Sequence, residues 1–217
     1  MSKETATYVL AIGLVLSLLA LTGAARTFNL AGNHQGYEPP QPIAFSHRLH
    51  AGELGMDCLY CHAGAQKSRH GGVPAASVCM NCHEFVTATL GAVQAEEAAA
   101  KEAGRAVEPV VSPEIAKLYE ALGLNEKRER DPAKPTRPIA WTRIHNLPDF
   151  VYFDHRAHVG AGVSCQQCHG NVETMERVRQ VETLAMGWCV NCHRQANAVG
   201  VQGRAVNASL HCTTCHY

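Results

Sequence analysis

The chain has 217 residues, and its 19 Lys plus Arg balance 19 Asp plus Glu, so it carries no net charge at pH 7. That balance excludes a basic field for nucleic acid and a one-sign surface for an oppositely charged partner. Ten Cys and 13 His stand beside an aromatic content of 6%, so something other than large apolar side chains is expected to fill the interior.

In chain order, the first expected element is an apolar helix. Tyr8 to Ala25, YVLAIGLVLSLLALTGAA, runs 18 residues without a charge, close to the roughly 20 that span a bilayer. Gly23, Ala24 and Ala25 also resemble a signal-peptide cleavage site, but the segment is expected to stay as an anchor over residues 1–28. Lys3, Glu4 and Arg26 bias its orientation little, and Gly13 and Gly23 suit close packing on partner helices. Residues 29–44, rich in Gly, Pro and polar side chains, read as a linker in which His34 is exposed.

Two cysteine-rich stretches follow, 45–84 and 138–217, separated by a cysteine-free insert at 85–137. In the insert, VQAEEAAAKEAGR is helix-prone, and SPEIAKLYEALG has Ser112 as N-cap, Pro113 in its first turn and Gly123 as its stop. Residues 127–138, charged and Pro-rich, read as a surface crossing. The insert is either a solvated connector or a docking surface for another subunit. A repeat links the two stretches: Phe45-Ser-His47-Arg48-Leu-His50-Ala-Gly52 matches Phe153-Asp-His155-Arg156-Ala-His158-Val-Gly160 at five of eight positions. A period of about 107 residues is too long for a solenoid and points to duplication of a small module.

Every cysteine lies in a CxxC, and every CxxC is followed by His: Cys58 and Cys61 with His62, Cys79 and Cys82 with His83, Cys165 and Cys168 with His169, Cys189 and Cys192 with His193, Cys212 and Cys215 with His216. This is the attachment signature of c-type haem. Two intervening residues set the thiols at the spacing of the haem vinyl groups, and the adjacent His falls under the iron. Zinc ribbons also use CxxC pairs, but they need an even number of them and have no use for a His after each. Disulfides within CxxC are strained and usually catalytic. Five covalent haems are therefore expected. All ten thiols would be consumed, and the porphyrins would supply the missing core.

An iron that only carries electrons needs a second axial ligand. Eight His remain, and the FxHxxH segments are the best source, because an i, i+3 pair on one turn can serve two neighbouring haems. Here the sequence resembles the cytochrome c7 and c3 families, in which such a segment precedes the first CxxCH. The resemblance implies that His47 pairs with His62, His50 with His83, His155 with His169 and His158 with His193. For His216 it points to the place three residues before the middle CxxC, where Met186 stands; His145 is the rival. A Met ligand would raise that haem's potential relative to bis-His neighbours. His70 and His211 are weaker candidates.

The string WTRIHNLPDFVYFDHRAHVGAGVSCQQCHG, with LAMGWCVNCHR after it, is similar to the pentahaem cytochrome c subunits of alternative complex III, and the layout is similar from Gln41 onward. The fold implied is mainly α with extensive irregular coil: a single N-terminal transmembrane helix plus two c7-like multihaem modules wrapped around five covalent c-type haems. The resemblance implies a non-catalytic electron-transfer subunit. Its partners would be an iron–sulfur subunit, polytopic quinol-binding membrane subunits and a monohaem cytochrome c, passing electrons to a soluble acceptor or terminal oxidase. Haem attachment would place the modules on the periplasmic side of the bacterial cytoplasmic membrane. The alternatives are the electron-transfer subunit of a polysulfide-reductase-like molybdoenzyme, or an autonomous NapC-like quinol dehydrogenase. The latter is disfavoured because the first CxxC follows the anchor by more than thirty residues.

Overall fold

A computed structural model describes residues 2–27 and 34–217; residues 29–33 of the expected linker lie outside that description. Helix α1 (Lys3–Thr27) is apolar around its circumference from Tyr8 to Ala24 and exposed there. At about 1.5 Å per residue its length suffices to cross a membrane. Its hydroxyls turn inward to the backbone, Ser17 Oγ to the Gly13 carbonyl (2.8 Å) and Thr22 Oγ1 to the Leu19 carbonyl (3.0 Å), which satisfies them without water.

The remainder is short helices joined by coil, with isolated β-bridges only among the described residues. After a π-helical turn at Arg48–Glu53 come α2 (Cys58–Cys61), α3 (Ala76–His83), α4 (Leu90–Ala103) and α5 (Pro113–Leu122). Then follow α6 (His155–Ala161), α7 (Gln166–His169), α8 (Met186–Val199) and α9 (Cys212–Cys215). Each CxxCH thus sits on its own helical turn.

The insert folds as its capping residues dictate. Thr89 and Ser112 accept from the N–H groups of Ala92 and Ile115, and Gly104 and Gly123 close the helices in the left-handed region. Part of it is more than a connector: Leu118 and Tyr119 are buried, and the Tyr119 hydroxyl donates to the His83 carbonyl, locking α5 onto α3. On α4, hydrogen bonds from Arg105 and from the Glu108 N–H hold the Glu96 carboxyl down to about 2.

The linker is likewise not free-standing. Gly36 N–H donates to the Gln180 carbonyl (2.8 Å), Gln180 N–H returns to the Tyr37 carbonyl (3.1 Å), and Gln41 pairs with the backbone of Thr142. The expectation of an exposed His34 is corrected by this pairing: His34 is half-buried against Tyr37, and its Nδ1 has no hydrogen-bond partner.

The two cysteine-rich stretches clamp each other through their repeated segments. The Arg48 N–H donates to the Met175 carbonyl (2.9 Å), and its repeat equivalent Arg156 donates to the Ser68 carbonyl (3.2 Å). Met175 and Ser68 each stand six residues beyond the first CxxCH histidine of their stretch. Among the described residues only Ala65, Ala100, Leu118, Tyr119 and Ile144 form a buried apolar core.

Candidate metal centres

Each FxHxxH segment places its two imidazoles by the same contacts. Phe45 meets His47 edge-on at 4.9 Å and stacks on His50 at 4.3 Å. Phe153 meets His155 at 4.9 Å and His158 at 4.5 Å in the same two ways. The Phe therefore serves as the wedge that separates the pair, which explains its place two residues before the first His.

The ring nitrogens are then sorted by backbone carbonyls. His50 Nδ1 donates to the Ser46 carbonyl (2.9 Å) and His158 Nδ1 to the Asp154 carbonyl (2.8 Å), one turn back in each case. His62 donates to Gly72 (2.6 Å), His83 to Val86 (2.8 Å), His155 to Arg69 (2.9 Å) and His193 to Ser209 (2.7 Å). A proton committed at Nδ1 leaves the Nε2 lone pair for a metal. His47 Nδ1 is buried with no partner, and His169 Nδ1 lies 3.2 Å from His145 Nε2 instead of a carbonyl.

Four histidine pairs face one another: His47 and His62 at 6.5 Å between centroids, His50 and His83 at 6.1 Å, His155 and His169 at 6.2 Å, His158 and His193 at 6.0 Å. A metal held at about 2 Å from each of two facing ring nitrogens separates the centroids by roughly 6 Å. Exposed large apolar side chains occur in the same two stretches, among them Leu54, Tyr60, Val73 and Phe150, of the kind an apolar cofactor covers. Donor set, tautomers and apolar surroundings all fit haem c.

Burial lowers His47 to about 4, helped by neighbouring His62 and His50. It lowers His145 to about 4, with His155 adding, and His169 to about 3, with His145, His155 and His62 adding. These rings are neutral at pH 7 and able to donate a lone pair.

The CxxC thiols influence one another in series. Burial raises Cys79, with the Cys61 thiol adding. Burial also raises Cys58, whose side chain meets Cys165. Cys168 is pushed up to about 11 by burial, then by Cys192 and Cys189. Cys189 is raised by burial and by Cys215. Each motif is thus an electrostatic neighbour of the next in the series 79–82, 58–61, 165–168, 189–192, 212–215, and the two stretches meet where Cys58 hydrogen-bonds Cys165.

The fifth motif is built differently. His216 stacks on Phe150 at 5.8 Å, and the Tyr152 N–H donates to the Cys215 carbonyl (2.8 Å). Met186 opens α8 and is 68% exposed, three residues before Cys189, beside which Cys215 lies. His145 is drawn to His169. His70 and His211 are exposed. Sequence reasoning missed the Nδ1 acceptors because they are main-chain oxygens, which no residue type announces. It also missed Gln180, fully buried with its Oε1 unpartnered.

Residues 151–217 match the family of cytochrome c7 and related cytochrome c. The chain is also 26% identical over 196 residues to the multiheme cytochrome c subunit of menaquinone reductase from Nitratidesulfovibrio vulgaris (strain Hildenborough), covering 81% of this chain and 76% of that protein. The chain is thus similar to a multihaem cytochrome c over most of its length, and covalently bound haem c is what that similarity carries.

Proposed function

We propose that the chain is a membrane-anchored pentahaem cytochrome c, the non-catalytic electron-transfer subunit of a larger complex that exchanges electrons with membrane quinone. The observation that carries this reading is the set of four facing histidine pairs, each joining an FxHxxH ring to a CxxCH ring at metal-sharing separation. The cysteines of the five motifs would hold the porphyrins as thioethers. His62, His83, His169, His193 and His216 would ligate the irons, and His47, His50, His155 and His158 would supply the second ligand to four of them. Met186 takes the remaining place, since His145 Nε2 is engaged with His169 Nδ1 at 3.2 Å. Haem iron so ligated supplies one-electron transfer and has no open position for a substrate. The protein's own part is to fix six of these imidazoles by Nδ1 hydrogen bonds to main-chain carbonyls and to keep successive CxxC motifs near one another.

The anchor is α1, with the bulk on the periplasmic side, where c-type haem is attached. Two settings suit the subunit. One is a complex like alternative complex III, with an iron–sulfur subunit, polytopic quinol-binding subunits and a monohaem cytochrome c, delivering electrons to a soluble acceptor or oxidase. The other is a menaquinone reductase, favoured by the named relative, in which electrons run toward the quinone.

The test is to solubilise the membrane, isolate the haem-stained band and identify its companions. Five haems per chain by pyridine haemochrome, polytopic membrane proteins and an iron–sulfur protein in the band, and negligible CO binding are expected. Quinol oxidation against quinone reduction by that band separates the two settings. Strong CO binding to one haem in five overturns the pure relay.

A further inference from the structure

We propose that His145 is the positioning residue of His169: it accepts the Nδ1 proton of that ring through its own Nε2 and so aims the ring at His155. Six other rings, His50, His62, His83, His155, His158 and His193, give their Nδ1 proton to a main-chain carbonyl. His169 has a side-chain imidazole in that place, 3.2 Å away, with the rings at 74° and centroids 4.3 Å apart.

The support of His145 is itself built in. Ile144 beside it is buried, and Arg143 Nε donates to the His145 carbonyl (2.9 Å). Neutral imidazole has one lone pair, so a His145 Nε2 that accepts from His169 carries its proton on Nδ1 and has no nitrogen left for iron. The same bond therefore removes His145 as an axial ligand of the fifth haem. An imidazole nitrogen is also a stronger acceptor than an amide oxygen. It draws the His169 proton further and makes that ring a more basic ligand, which favours the oxidised iron. His169 belongs to the site where the two stretches meet, beside Cys58 and His62, so this is where a tuned potential matters to passage between them.

The inference rests on the haem reading above, and the experiment separates the two. The full chain with its membrane partners is isolated as wild type, His145→Ala and His145→Gln, and haem content, electron paramagnetic resonance and redox titration are compared. Five low-spin haems are expected in all three. In His145→Ala one midpoint potential moves upward; in His145→Gln, whose side-chain oxygen accepts the same proton, it returns part of the way. Unchanged potentials in both variants overturn the proposal. So does a new high-spin, CO-binding haem, which would make His145 a ligand, or loss of the Cys165–Cys168 haem in both variants. Absence of covalent haem from the wild type would show instead that the underlying reading had failed.

Discussion

A histidine that binds metal through Nε2 has to keep its proton on Nδ1, and the acceptor for that proton decides which way the ring points. Ser46 and Asp154 provide it one turn before His50 and His158, so the second His of each FxHxxH is oriented by its own helix. The first His depends on distant chain: His155 reaches Arg69, 86 residues away, while buried His47 Nδ1 has no partner. Met186 is the one proposed ligand outside these rules, a thioether at the start of α8. Leu has nearly the volume of Met, and such swaps usually cost under about 1.5 kcal/mol, so Met186→Leu tests ligation more than folding. One of five low-spin haems should become high-spin, with any near-infrared sulfur-to-iron band lost. An unchanged spectrum would place the ligand elsewhere.

The repeat presents two equivalent glycines in different surroundings. A Cβ on Gly52 would come within 2.3 Å of the Glu173 carbonyl oxygen, whereas one on Gly160 meets nothing within 4 Å. The π-helical turn at Arg48–Glu53 therefore lies directly on the 3₁₀ turn Val172–Thr174, with Gly52 as the point of closest approach. Gly52→Ala should destabilise the folded protein by about 1–3 kcal/mol through overpacking. Gly160→Ala, inside α6, should be neutral or stabilise by up to about 1 kcal/mol, since Ala is the better helix former. Chemical denaturation of the two variants checks the difference; equal losses would show that the turn-on-turn contact is not decisive.

Five buried apolar side chains among the described residues are far too few to hold a chain of this length in one shape. Ordering each residue costs roughly 1–2 kcal/mol of backbone entropy, and burial of apolar surface must offset it. On the proposed reading the porphyrins supply that surface, and folding is coupled to their attachment. The sites are not equivalent in this respect. The 165–168 motif meets Cys58 on one side and is an electrostatic neighbour of Cys189 and Cys192 on the other, whereas the 212–215 motif neighbours only Cys189 among the described thiols. Replacing Cys165 and Cys168 by Ala should abolish accumulation of the protein, followed by immunoblot and haem stain. Replacing Cys212 and Cys215 should leave a four-haem protein at reduced level. Equal accumulation of both variants would argue against haem as the core.

Much was open to reading in the linear chain because it follows from local chemistry. The span of α1, the Ser112 cap, the Gly123 stop and the five CxxCH turns each depend on residues within a few positions of one another. The FxHxxH duplication was equally visible, since an i, i+3 pair is set by one helical turn. The linker and insert were less legible. Gln41 meets Thr142 and Tyr119 reaches His83, and neither pairing leaves a mark in composition. Nor does anything in WTRIHNL distinguish a metal ligand from a residue that orients one. That distinction came only when tertiary structure set His145 against Nδ1 of His169. By itself, then, the sequence determined which groups form the CxxCH and FxHxxH motifs and where each helical turn begins, because motif spacing and capping act over a few residues. Tertiary structure decided which CxxC motifs are neighbours, the mutual clamping of the two stretches and the Nδ1 partners of six rings, because those rest on main-chain atoms and thiols that sequence spacing alone does not bring together.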